Sequence, residues 1–514
     1  MYPGTFAATT PDKPAVIMGG SREVITYREL DERSARLAQF LFARGLRPGD
    51  NIAFLAENHP RYYEVYWAAM RAGLYLTTVN RYLAPAEAAY LVNDSGATVC
   101  ITTAQMAPTA LPMLDLIPDC PIRLMMDAAE DGFESYEVAL DASSSASLTT
   151  QPRGQVMLYS SGTTGRPKGV ERPLCGLQID DPSAATMATT LRRLLGMTEQ
   201  SVYLCPAPLY HAAGLVWSSG THELGGTVVV MEKFDAEQFL ALVEREAVTH
   251  TQVVPTMLVR LMKLAPEVRG RYDLSSLECV VHAAAPCPIA VKHQVIEWLG
   301  PIVHEYFAAT EGNGMTFITA TEWLEHPGSV GRPMFGIPHV CDEEGDEVPV
   351  GEAGLIYFEQ EQTPFEYHGD PEKTRASRHR EHDNWSALGD IGYVDHDGYI
   401  YLTDRKAFTI ISGGVNIYPA EIEACLIMHP SVTDVAVFGL PDPEMGEYVH
   451  AVVQPADGVE VSPELAEDLL RYVREHLARY KVPRVVDFRT ELPRLPTGKL
   501  YKQGLRDEYR TTTA

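Results

Sequence analysis

The sequence predicts an α/β protein. A large N-terminal domain of layered α/β subdomains with mostly parallel sheets is followed by a small α+β C-terminal domain. Three observations carry this. Short apolar runs of strand length alternate with helix-patterned stretches from the N-terminus to about residue 400, as βαβ units do. At 514 residues the chain is long enough for two to four folding units of ~100–200 residues each. The last ~110 residues carry strands and a helix start of their own.

Residues 15–18 and 24–27 read as a strand pair around Gly19-Gly20. Tyr27 to Asp31 opens a helix with apolar positions Leu30, Ala35, Leu37, Phe40 and Leu41. Residues 51–55 form a buried strand, 62–73 a helix and 99–102 a strand. The stretch 127–150, rich in Asp, Glu, Ser and Ala, reads as an exposed loop. Residues 156–159 and 227–231 are strands. Asp235 caps a helix from Ala236 to about Glu246 by accepting an amide hydrogen bond. Residues 251–255 are a strand, followed by a helix through Leu258, Leu261 and Met262. Residues 279–282 form a strand ending at Ala283-Ala284-Ala285-Pro286. In such folds ligands sit beyond the carboxyl ends of the strands. Further on, strands at 432–438 and 448–453 flank the stretch from Gly439 to Gly446. Ser462-Pro463-Glu464 then combines an N-cap with proline at the first helical position. Leu465, Leu469, Val473 and Leu477 follow at four-residue spacing, giving one apolar face.

Apolar residues make up 45% and charged residues 22% of the chain, a globular composition. The net charge of −27 argues against a nucleic acid partner, which needs basic patches, and against an anionic membrane surface. No run of ~18 apolar residues exists, so no integral membrane segment is expected. The N-terminus lacks the basic and apolar regions of a signal peptide, and Thr511-Thr512-Thr513-Ala514 matches no peroxisomal or anchoring signal. Eight scattered cysteines form no Cys-x-x-Cys pair or metal-ligand spacing, the pattern of reduced thiols in a cytoplasmic protein.

The chain is organised around Tyr159-Ser160-Ser161-Gly162-Thr163-Thr164-Gly165-Arg166-Pro167-Lys168-Gly169. Glycines let backbone approach a ligand, successive N–H groups in such a turn bind anions, and the Ser/Thr hydroxyls, Arg166 and Lys168 add donors and charge. The stretch suits a polyphosphate. It is not the common P-loop, because Lys168 precedes Gly169 and Val170-Glu171-Arg172-Pro173 is a poor helix start. It resembles instead the phosphate loop of the adenylate-forming superfamily: acyl- and aryl-CoA synthetases, luciferases and peptide-synthetase adenylation domains.

Four further clusters resemble that superfamily in order. Phe307-Ala308-Ala309-Thr310-Glu311 is similar to its Tyr-Gly-x-Thr-Glu. Phe307 and Ala308 depart from that pattern, keeping an aromatic face for adenine and adding a methyl beside it. Leu388-Gly389-Asp390 and Asp404-Arg405-Lys406 resemble its ribose-binding Thr-Gly-Asp and hinge segments. Ser412-Gly413-Gly414 resembles the loop laid against the pantetheine arm of CoA. Pro493 to Lys499 resembles the segment whose lysine binds the carboxylate and α-phosphate during adenylation. His211 falls where the family has an aromatic or histidine gate beside the carboxylate. A histidine there, where amino-acid-activating relatives carry aspartate, argues against an amino-acid substrate.

The resemblance implies an acyl-CoA synthetase with Lys499, Thr164, His211 and Glu311 as catalytic residues. Ser160, Ser161, Gly162, Thr163, Thr164, Gly165 and Lys168 would hold the phosphates, and Glu311 a Mg²⁺ ion. Ala284, Phe307, Ala308 and Thr310 would contact the nucleotide, Asp390 and Arg405 the ribose, and Gly413 and Gly414 the CoA. The implied domains are 1–403 and 407–514, the second mobile about a hinge at 404–406. The expected partners are ATP, CoA and a small-molecule carboxylic acid, and a homodimer is compatible with this reading. Apolar Leu215, Val216, Trp217, Val254, Pro255 and Val259 and the small Ala283-Ala284-Ala285 favour a hydrophobic monocarboxylate, a fatty acid or a steroid side-chain acid. An aryl-CoA ligase, a luciferase-like oxygenase and a non-catalytic scaffold of the same fold are the alternatives.

Overall fold

The computed structural model describes residues 1–160, 167–413, 415–494 and 500–513. The chain divides into two compact units. The first comprises Met1–Val253, Leu264–Val281 and Pro364–Thr374; the second comprises Val254–Lys263, His282–Thr363 and Arg375–Ala514.

The first unit holds a six-stranded sheet in the order Glu134–Ser135, Ile122–Met126, Val99–Thr103, Asn51–Leu55, Tyr75–Val79, Gln155–Val156. Every neighbouring pair is parallel. Asn51–Leu55 and Val99–Thr103 are buried at every position, because helices must cover both faces of a parallel sheet. A second sheet begins with the antiparallel pair Val24–Thr26 and Pro14–Met18 and continues in parallel through Thr227–Val230, Val202–Cys205 and His250–Val253. The helix Tyr27–Ala43 starts where Thr26 and Glu29 form a reciprocal capping box, and it buries Leu30, Ala35, Leu37, Phe40 and Leu41. Asp235 caps Ala236–Arg245 as expected, accepting from the Gln238 amide at 2.8 Å.

Two expectations for this unit need correction. The stretch 127–150 is not all loop: Glu134–Ser135 joins the six-stranded sheet and Tyr136–Asp141 is a helix. Ser135 caps that helix, and Tyr136, Ala139 and Leu140 are buried, so three well-spaced apolar residues outweigh the polar composition. Residues 156–159 are not one strand. Gln155–Val156 pairs with Tyr75–Val79, while Leu158–Ser160 turns into a three-stranded sheet with Lys168–Glu171 and Glu366–Tyr367.

The second unit contains the antiparallel strands Val303–Ala308, Met315–Ile318 and Arg332–Phe335. It also has an antiparallel sheet of Ile337–Cys341, Gly354–Glu359, Asp390–Val394 and Ile400–Arg405, with Trp385–Ser386 on Gly354–Glu359. The C-terminal part has its own sheet: Val415–Ile417, Ile410–Ser412, Gly446–Pro455 and Val432–Asp442, with Val485–Phe488 parallel to Gly446–Pro455. Helix Pro463–His476 is capped by Ser462 and buries Leu469 and Val473 in a core with Ile422, Leu426, Val437 and Val453. The ladder extends into the stretch between the two expected strands. The strands run to Asp442 and restart at Gly446, pairing Leu440 with Tyr448 and Asp442 with Gly446.

Candidate active site

In the first unit, Ser160 and Lys168 are direct partners across an antiparallel ladder. The ladder also pairs Tyr159 with Gly169 and Leu158 with Val170. Helix Pro85–Asp94 anchors it: Asp94 accepts from the Tyr159 hydroxyl at 2.7 Å, and the Tyr90 hydroxyl donates to the Pro167 carbonyl at 3.3 Å. Burial, with the Asp94 bond, raises the Tyr159 phenol far above its ordinary range, so it remains a donor. Lys168 pairs with Asp370 at 2.6 Å. Ser161, Gly162, Thr163, Thr164, Gly165 and Arg166 lie outside the described residues.

His211, also in the first unit, stands at the N-cap position of Ala212–Leu224 without capping it. Its ring lies 4.8 Å from that of Tyr210. The turn is tight: a Cβ at Gly214 would lie 2.4 Å from the Pro208 carbonyl oxygen, so only glycine admits this approach.

In the second unit, Val303–Ala308 carries Phe307 and Ala308 and leads to Thr310 and Glu311. Phe307 packs against a cluster of Val330, Val340, Ile356, Phe358 and Ile400, its ring 6.3 Å from Phe358. Glu311 is buried. Gln360 fixes the turn after it by donating to the Gly312 and Asn313 carbonyls at 2.9 and 2.6 Å. Asn313 in turn donates to the Ser386 carbonyl at 3.1 Å. Ala284 is exposed and has φ +77°, the left-handed region that disfavours a Cβ.

Asp390 and Arg405 come together as a cross-strand pair, with Asp390 buried. Asp404 bridges the segment that follows, accepting from the Ala420 amide at 3.2 Å at the start of helix Pro419–Leu426. Gly413 has φ +57° and donates its amide to the Met445 carbonyl at 2.7 Å, in the hairpin of Ile410–Ser412 and Val415–Ile417. Gly414 and Lys499 lie outside the described residues. Arg494, just before 495–499, is clamped by the Asp434 carboxylate.

Several polar supports escape sequence reading. Lys292, fully buried on helix Ile289–Leu299, is hydrogen-bonded to buried Glu305 on Val303–Ala308 and lies 4.6 Å from the Trp323 ring centroid. His282 approaches the same carboxylate at 3.4 Å. Burial raises Glu305 and lowers Lys292 and His282 relative to their ordinary ranges. Asp94, Asp370 and Gln360 are equally silent in the sequence, since no spacing marks an isolated residue whose partner is distant. His326, Asp395 and Asp397 bring three possible ligand atoms within 4.8 Å. The Asp395 carboxylate there already accepts from the Asp397 and Tyr399 amides.

Residues 5–367 match the family model described as AMP-binding enzyme, and residues 421–499 match that of the AMP-binding enzyme C-terminal domain. The chain is 35% identical to a feruloyl-CoA synthase from an Amycolatopsis species, over 99% of this chain and 98% of the relative. It is 33% identical to the fatty acid–[acyl-carrier-protein] ligase ScoC of Streptomyces coeruleorubidus, over 97% of this chain and 94% of the relative. The crystal structure of ATP-bound MatB from Rhodopseudomonas palustris is similar with a TM-score of 0.82 and 29% identity, covering 100% of both chains. No helix among the described residues is long and apolar enough to cross a membrane. With two family models matched in order and relatives aligned along nearly its whole length, the chain belongs to the AMP-binding enzyme family, among the acyl- and aryl-CoA ligases.

Proposed function

We propose that this protein is an ATP-dependent acyl-CoA synthetase that adenylates a hydrophobic monocarboxylic acid, a fatty acid or a steroid side-chain acid. The carboxylate attacks the α-phosphate of ATP, giving acyl-AMP and pyrophosphate, and the CoA thiolate then displaces AMP. The observation that carries the reading is the retention of Lys168, Glu311, Asp390, Arg405 and Lys499 in a chain that matches both family models.

Ser160 to Gly165 and Lys168 hold the β- and γ-phosphates, with Thr164 bonding them through its hydroxyl. Phe307, Ala308, Thr310 and Ala284 contact the nucleotide, and Asp390 with Arg405 holds the ribose. Lys499 supplies positive charge where the α-phosphate reacts, and His211 is the gate residue for the carboxylate. Residues 404–406 are the hinge between 1–403 and 407–514, and Gly413-Gly414 admits the pantetheine arm. Glu311 fits Mg²⁺: a buried carboxylate is a hard oxygen donor, and this ion keeps waters and phosphate oxygens for its other positions. Bound there, the ion neutralises phosphate charge. Eight free cysteines support a reducing, cytoplasmic setting.

An aryl acid is the second reading, favoured by the likeness to a feruloyl-CoA synthase. ATP–pyrophosphate exchange across a panel of fatty, steroid and cinnamic acids tests both. Exchange with the long apolar acids supports the first, exchange confined to cinnamic acids the second, and no exchange with any acid sinks the enzyme reading.

A further inference from the structure

The return strand of the phosphate loop carries a pairing that the reading above does not use. Lys168 lies on Lys168–Glu171, between Leu158–Ser160 and Glu366–Tyr367. Val170 pairs with Tyr367, and the His368 amide donates to the Gly169 carbonyl at 2.9 Å. This ladder delivers Asp370 to Lys168, whose ammonium meets Asp370 Oδ2 at 2.6 Å. Asp370 also starts helix Pro371–Ala376: its Oδ1 accepts from the Lys373 amide at 3.0 Å, and its carbonyl accepts from the Thr374 amide and hydroxyl, each at 3.0 Å. The carboxylate is fixed on two sides before any ligand arrives.

We propose that Asp370 is a positioning residue that orients the Lys168 ammonium and competes with the β- and γ-phosphates for it, thereby limiting how tightly ATP and pyrophosphate are held. The proposal rests on the ligase reading. An ammonium has three donors and no acceptor, so a carboxylate in contact with it both aims it and shares its charge. A bare lysine would grip pyrophosphate more strongly, and a product held that way leaves slowly. The pair persists through the neutral range. The bond from Lys168, helped by the Lys373 amide, holds the Asp370 carboxyl below its ordinary range. The same bond raises Lys168. The contest is therefore one of charge and not of protonation.

Asp370→Asn removes the charge and keeps the cap: Asn caps a helix as well as Asp does, its single carbonyl oxygen taking the Lys373 amide while the Lys168 contact made by Oδ2 is lost with the charge. Equilibrium titration of the full chain with MgATP, and separately with magnesium pyrophosphate, reads the effect without any acid. Each ligand should bind about three- to fivefold tighter in D370N, the range for loss of a partly exposed ion pair. Product inhibition by pyrophosphate should strengthen by a similar factor. Asp370→Glu restores the charge and should return both affinities toward wild type. Should D370N not fold, Asp370→Ser still caps, removes the charge and is expected to tighten both ligands. Unchanged or weaker binding in the folded neutral variant, or a Glu variant as tight as the Asn variant, overturns the proposal. Because the titration needs no acid, an inactive enzyme overturns the ligase reading while the binding comparison still decides on Asp370.

Discussion

Asp390 and Arg405 are register partners on adjacent antiparallel strands, and Arg405 Nε forms an ion pair with Asp390 Oδ1 at 2.8 Å. Arg405 also donates to the Leu388 carbonyl at 3.3 Å. The residue assigned to the ribose hydroxyls is thus held by the second residue assigned to them, and sheet register sets their separation.

Removing the charge should therefore act on ATP. We predict that Asp390→Asn raises the KM for ATP about tenfold or more, the scale of a lost hydrogen bond to a charged group, with little change in the KM for the acid. ATP–pyrophosphate exchange with each substrate varied in turn measures this. Equal effects on both would remove Asp390 from the nucleotide.

The two half-reactions should separate at Lys499. Lys499→Ala is predicted to lower acyl-adenylate formation by about 10²–10³-fold, as for loss of one preorganised charge-stabilising group. Thioester formation from supplied acyl-AMP should be largely spared. Single-turnover measurements of each half-reaction decide it, and parallel losses would contradict the role.

The Lys292–Glu305 pair predicts a non-additive pattern. Glu305→Gln or Lys292→Met strands a buried charge and should cost about 3–5 kcal/mol. The double variant Lys292→Met with Glu305→Leu should recover most of that, since apolar replacement of a buried pair is often neutral or stabilising. Glu305 is raised by burial, so the folded state binds its proton more readily and this residue's contribution falls as pH rises out of the ordinary carboxylate range. Thermal melts of the four proteins at two pH values test both points.

His222 should make the protein acid-sensitive. It is fully buried, its Nε2 lies 3.0 Å from the Ala15 carbonyl, and its Nδ1 accepts from Trp67 Nε1 at 3.3 Å. Burial lowers it from 6.5 to about 4, so the folded state resists protonation. Its stabilising contribution is present above the unfolded value and is lost as pH falls toward about 4. The melting-temperature gap between wild type and His222→Gln should shrink over that interval; a constant gap would refute the titration.

Much of the fold was legible because it is written in local patterns. Helix Tyr27–Ala43 announces itself through Thr26, Glu29 and an apolar stripe. Asn51–Leu55 reads as buried because it is apolar throughout. The helix Tyr136–Asp141 stayed hidden because it is short and sits in a polar stretch. The break at Met157 is invisible because period-two patterning does not say which sheet a residue joins. Of the candidate site, Ser160, Lys168, Phe307, Glu311, Asp390 and Arg405 were found through contiguous motifs. Asp370, Asp94 and Gln360 were not, since each acts through a partner far off in the chain, and Lys292 was not, since only the docking of its helix brings it to Glu305.

The sequence by itself determined the α/β class, the order of the motifs and the kinds of group available to a nucleotide, because periodicity, capping and turn chemistry are local. Only the tertiary structure decided which charges meet. Lys168 finds Asp370, Asp390 finds Arg405, and Lys292 finds Glu305. These pairings follow from strand register and helix docking, which bring together residues up to 202 positions apart, as with Lys168 and Asp370 (370 − 168). The hydroxyl-rich stretch at 159–169 is therefore a set of donors in the sequence, and the structure adds that Ser160 pairs with Lys168 and that Lys168 meets the Asp370 carboxylate.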